Sequence, residues 1–228
     1  IKFRKRMSKE YRISFTNYPD VKIGEELLIF ENAKALNITP RELRELRTKR
    51  DFIKLKDVML PYIKFQSKHF NMALDYFKNA VIDASNTKDA LKHSVIYGGV
   101  KYDYGLGGIH GTCGNGVYKS DDKGDLILVD VSSYYPNDTE MVDAIKLALN
   151  GAMFGKSNNE FSPIYDPKFM LSITVNGQLL LTMLAEQISD AGIKIIQINT
   201  DGILVKCTKE QKEILDSLCN AWMKLTKL

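Results

Sequence analysis

Two short apolar runs, each carrying an acid to its end, constrain this chain more than any other feature. Leu126, Ile127, Leu128 and Val129 lead into Asp130, and Val131-Ser-Ser-Tyr-Tyr-Pro136 follows. A bounded apolar run of this length reads as a buried strand. Pro136 cannot continue a hydrogen-bond ladder, so the strand ends before it. The second run, Ile193-Lys-Ile-Ile-Gln-Ile-Asn-Thr-Asp-Gly-Ile-Leu-Val-Lys206, reads as strand, tight turn, strand, with Asp201 in the turn and Gly202 after it. An acid at the end of a buried run is costly unless a cation or hydrogen bonds meet it. Two such acids far apart in sequence predict one divalent-metal site, with the rest of the chain built to hold Asp130 and Asp201 together.

The 228 residues suit one large domain or two small ones, with an apolar fraction of 44%, enough for a real core. No stretch of about eighteen consecutive apolar residues exists, so no membrane span is expected. No secretory signal is visible, and the opening without methionine suggests a piece of a longer chain. Cys113, Cys207 and Cys219 fit neither a zinc pattern nor a disulfide framework, which predicts a reducing, cytoplasmic location, the host cytoplasm if the protein is viral. The net charge of +4 is uneven: residues 1–70 hold 17 Lys/Arg against 9 Asp/Glu, and the remainder 15 against 19. A basic part joined to an acidic part fits nucleic acid beside a metal site, and it fits an ordinary solvated basic surface equally well.

Along the chain, residues 1–12 read as a basic helix end, 17–20 as a turn and 22–37 as a helix. Thr39-Pro40-x-Glu42 is a capping box that opens a helix over 41–50. Its Arg41, Arg44 and Arg47 recur every three residues and could track DNA phosphates, although Glu42 and Glu45 also offer ordinary surface partners. Residues 57–84 read as long helices with core aromatics, and His69 and His93 as structural or surface residues. Residues 94–118 are dense in glycine and tyrosine. Such a segment can expose backbone N–H groups to phosphate, or be a plain glycine-rich hairpin with His110 as a cap. Residues 138–150 read as a helix with Lys146 and Asn150 one turn apart. Residues 172–191 form a long apolar helix stopped by Gly192, and 209–225 an amphipathic one.

These pieces, in this order, resemble the palm of family B DNA polymerases, especially those of bacteriophages. Asp130-Val-Ser-Ser-Tyr-Tyr-Pro136 is similar to that family's Asp-x-x-Ser-Leu-Tyr-Pro motif. Lys146-Leu-Ala-Leu-Asn150 with Phe154-Gly155-Lys156 is similar to Lys-x-x-x-Asn-Ser-x-Tyr-Gly, and Asn199-Thr200-Asp201 to Asp-Thr-Asp. Tyr104-Gly-Leu-Gly107-Gly108 resembles the template-contacting Tyr-x-Gly-Gly segment of the protein-primed branch. The resemblance covers residues from about 97 to 207.

The resemblance implies an α+β fold in which a small antiparallel sheet, made of the Asp130 strand and the Asp201 hairpin, packs on helices. Residues 1–93 would be a helical basic segment between exonuclease and palm. Residues 94–228 would be the palm, with 138–156 a remnant of the fingers, and the exonuclease, most of the fingers and the thumb would lie outside this chain. Asp130 and Asp201 would bind two Mg2+ ions, or Mn2+ in their place, with the Val131 carbonyl completing one shell. The backbone of Ser133 and Tyr134 would touch phosphates, and Tyr135 would lie under the sugar and exclude a 2′-hydroxyl. Lys146 would hold the triphosphate, with Asn150 and Phe154 beside the nascent base pair. Tyr104, Gly107, Gly108 and Lys156 would contact DNA. The implied partners are primer–template DNA, deoxynucleoside triphosphates and other replication proteins, with no membrane. Asn199 departs from the family's first Asp, Gly151 from its Ser, and only fifteen residues separate Asp130 from Lys146, where the family inserts its fingers. The alternatives are a catalytically inactive palm that binds nucleic acid, a reverse transcriptase or primase–polymerase, and a phage structural or assembly protein.

Overall fold

The computed structural model describes residues 2–46, 48–85, 87, 91–131, 157 and 159–227. The chain is α+β and gathers into two units, residues 1–50 with 135–170, and residues 51–134 with 171–228. Residues 51–93, which the sequence reading joined to the basic helical segment, pack with the sheet-bearing unit.

The first unit contains α1 (Lys2–Tyr11), α2 (Asp20–Leu36) and α3 (Pro40–Glu45). Met7, Phe15, Ile23 and Leu27 form an apolar cluster, with Phe3, Tyr11, Ile13 and Tyr18 packed around it. Arg4 ties the loop after α1, donating to the Thr16 and Tyr18 carbonyls and pairing with Asp20. The Thr39 capping box forms as expected, with Thr39 Oγ1 accepting from the Glu42 N–H and the Glu42 carboxylate accepting from the Thr39 N–H. However, α3 stops at Glu45 rather than Arg50. It buries no residue, and helix length in proteins comes mostly from packing an apolar face. Arg50 lies beyond it and makes a two-pronged pair with Asp166, Nε–Oδ1 2.8 Å and Nη2–Oδ2 3.0 Å. Burial pushes the Asp166 carboxyl up, but the Arg50 hydrogen bonds and charge outweigh it and leave the group below its ordinary value.

In the second unit β1 (Phe52–Lys54) pairs antiparallel with β2 (Val81–Asp83). Between them lie a 3-10 turn at Leu55–Asp57 and α4 (Lys68–Asn79). The expected long helices over 57–84 therefore reduce to one. Pro61 interrupts the backbone ladder, and Val81 and Ile82 are β-branched residues that suit a strand.

The main sheet is antiparallel, with the order β3 (His93–Tyr97), β4 (Val100–Gly105), β5 (Gly108–Thr112), β7 (Lys194–Asn199), β8 (Gly202–Cys207), β6 (Asp125–Asp130). Among the described residues it has six strands, not three. The glycine- and tyrosine-rich segment supplies half of them, so its hairpin reading is the one the fold adopts. His110 does not cap that hairpin; it sits on β5 opposite Asp103.

Two long helices complete the unit, α5 (Pro167–Asp190) and α6 (Lys209–Thr226). α5 begins five residues earlier than the apolar run suggests, with Pro167 at its first turn, where a missing N–H costs nothing. It ends as expected before Gly192, whose φ of 73° is the left-handed conformation glycine adopts readily. By length and composition α5 could cross a membrane, but 67% of its most apolar window is buried, as in a core helix. Leu179 and Leu181 are fully enclosed, each worth about 2 kcal/mol of burial. Trp222 of α6 locks onto α5 through an indole N–H to the Leu180 carbonyl, 2.7 Å.

A polar row runs along the same apolar helix with helical spacing. The Gln178 side chain accepts from the Gly105 N–H (3.0 Å), and Thr182 Oγ1 lies 3.1 Å from the Tyr104 hydroxyl. The buried Glu186 carboxylate accepts from the Gln66 and Ser67 N–H groups at 2.9 and 2.8 Å, and Asp190 accepts from Tyr97. These bonds register α5 under β3 and β4 and anchor the start of α4.

Candidate active site

The two acids singled out in the sequence meet at one end of the main sheet. β6 and β8 pair so that Asp130 lies opposite Gly202, the residue after Asp201. The ladder continues one step further, where the Val131 N–H donates to the Asp201 carbonyl at 3.0 Å. β7 and β8 are joined by a two-residue turn, Thr200–Asp201, between the paired Asn199 and Gly202. Neither turn residue takes a positive φ.

Gly202 is part of the geometry. A Cβ there would lie 3.2 Å from the Val129 carbonyl oxygen and 3.4 Å from Asp130 Oδ1, so glycine keeps the ladder closed beside the carboxylate. Gly108 performs a similar task from the other side. With φ of 127°, it packs so tightly on the turn that a Cβ would fall 2.7 Å from Thr200 Cγ2. The glycine segment and the Asp201 turn therefore touch, a link that their spacing in sequence did not reveal.

Asp130 and Asp201 are both exposed, and neither side chain has a hydrogen-bond or ion-pair partner among the described residues. Carboxylates carried on adjoining strand ends could share a bound cation. The donors are hard oxygens, two carboxylates and the Val131 carbonyl, which suit Mg2+ or Mn2+. No group of three or more His, Cys, Asp or Glu residues gathers among the described residues. Asn199 is exposed at the base of the same turn and adds no charge.

Three sequence expectations are corrected. The Asp130 strand is not a buried strand: β6 lies at the sheet edge, none of its six residues is fully buried, and Leu128 is 64% exposed. An edge strand has a neighbour on one side only, which its apolar run could not indicate. Tyr104 does not face a template strand. It is a core residue, 4% exposed, and burial first of all pushes its hydroxyl pKa well up. Gly108 is likewise enclosed under Thr200, whereas Gly107 is exposed.

Of the arginine stripe, Arg44 is already engaged by the largely buried Glu26 and by the Pro40 carbonyl. Arg41 is exposed, with Glu45 3.8 Å away. Arg47, Ser133, Tyr134, Tyr135, Lys146, Asn150, Phe154 and Lys156 lie outside the described residues.

His93 is half-buried and stacked on Tyr76 at 4.3 Å, and burial lowers its pKa, in keeping with a structural role. No protein-family model, curated protein or solved structure matches the chain.

Proposed function

We propose that this chain is the palm of a template-directed DNA polymerase, in which a primer 3′-hydroxyl attacks the α-phosphate of a deoxynucleoside triphosphate and pyrophosphate leaves. The observation that carries the reading is the closure of β6 on β8, with Val131 bonded to Asp201 and two carboxylates at the same sheet end that have no partner among the described residues. Divalent ions bound there would activate the attacking oxygen and stabilise the leaving one. The role of the chain is to hold Asp130 on a strand and Asp201 in a tight turn, so that neither carboxylate needs to reorganise. Tyr135 and Lys146, on the family resemblance, would select the sugar and neutralise the triphosphate. The lack of a third acid at Asn199 supports a second reading, a palm that binds nucleic acid without synthesis.

Primer extension with deoxynucleotides and Mg2+, by the longest native chain containing this segment, separates the two. The expected outcome is extension by the parent and a loss of at least about 1,000-fold in Asp130→Asn and in Asp201→Asn, with DNA affinity within about threefold, because the lost groups act on the transition state. Extension retained by both variants would remove these acids from the chemistry. DNA binding without extension by the parent would favour the inactive palm.

A further inference from the structure

The basic residues of α1 divide into two sets. Arg4 points back into its own unit and is consumed by Asp20 and two loop carbonyls. Lys2, Lys5, Arg6 and Lys9 are all exposed and make no ion pair among the described residues. They stand at i, i+3, i+4 and i+7, so they share one face of the helix. The one acid of the helix, Glu10, bonds to none of them. The opposite side supplies Met7 to the apolar cluster with Phe15, Ile23 and Leu27, and Phe3 and Tyr11 pack against it. The orientation of the stripe is therefore fixed by burial of its back, and its four cations are exposed, with Arg6 also lying 5.8 Å over the Phe3 ring.

We infer that this face of α1 binds the phosphate backbone of nucleic acid. From Lys2 to Lys9 the stripe spans about 10 Å at 1.5 Å per residue, which matches the axial rise of about three base pairs. Long flexible cations suit phosphate contacts that position without reading bases. An anionic membrane fits less well. An interfacial helix must insert its apolar side, and here that side is committed to the protein core. The inference is independent of the two-carboxylate reading, because it concerns a different element and needs neither metal nor nucleotide.

The test is anisotropy of a labelled DNA duplex, titrated over a series of salt concentrations without divalent metal or nucleotide. It compares the parent with a variant carrying Lys2→Gln, Lys5→Gln, Arg6→Gln and Lys9→Gln. A control removes the same charge elsewhere, through Lys54→Gln, Lys56→Gln, Lys212→Gln and Lys224→Gln. Circular dichroism melts establish that both variants fold. The expected result is a log K against log salt slope shallower by about 3 in the α1 variant, close to 0.9 per lost contact, and by less than about 1 in the control. An unchanged slope in the α1 variant, or an equal change in both variants, would overturn the inference. So would sedimentation of the parent with phosphatidylserine vesicles that depends on the four cations while the duplex slope stays put.

Discussion

Gly108 shows how a single residue can be read correctly as special and wrongly as to why. Its place in a glycine pair suggested close approach of a DNA backbone, but the approach in the structure is to Thr200, with φ in the region that side chains avoid. Gly108→Ala should therefore destabilise the protein by about 2 kcal/mol, part from backbone strain and part from the clash. Combining it with Thr200→Gly should recover the clash and leave the strain, a coupling visible in a double-mutant cycle by chemical denaturation. Additive losses would show that the turn and the glycine do not press on one another. The two acids differ in kind. Asp130 and Asp201 stand out in the sequence as acids closing apolar runs, and both are exposed in the structure. Their proximity became visible only with the register of β6 on β8.

At the scale of elements, α5 is the most informative. Its apolar run and its stop at Gly192 were plain in the sequence, whereas the polar row of Gln178, Thr182 and Glu186 passed unnoticed despite its spacing of four. That spacing is the signal that was available, since a polar group recurring each turn on a buried helix must find partners. Glu186→Ala should cost about 2 kcal/mol, because it removes the shared acceptor of the partly buried Gln66 and Ser67 N–H groups. Glu186→Gln, which retains one acceptor oxygen, should cost less. Thermal melts measure both, and a loss under about 1 kcal/mol for the alanine variant would show that solvent replaces the carboxylate. The helix over 41–50 failed for the opposite reason. Its capping box was read correctly, but α3 has no apolar face to pack, and a good start does not set a length.

For the molecule as a whole, the thiols report on folding. Cys207 closes β8 and is 1% exposed, and burial first of all raises its pKa, so it should resist alkylation in the native state. Its labelling rate should follow the global unfolding equilibrium across a denaturant series, while the half-buried Cys113 labels far earlier. Labelling of Cys207 at the rate of Cys113 would mean that the β6–β8 edge opens locally, and the paired acids with it. The sequence by itself determined the α+β class, the Asp201 hairpin and the capping box, because each is written in local pattern: period or turn chemistry. The tertiary structure alone decided the six-strand order, the edge position of β6, the burial of Tyr104 and the contact of Gly108 with Thr200. Those depend on which distant segments pair, and pairing is settled by packing across the whole core rather than by any stretch of neighbouring residues.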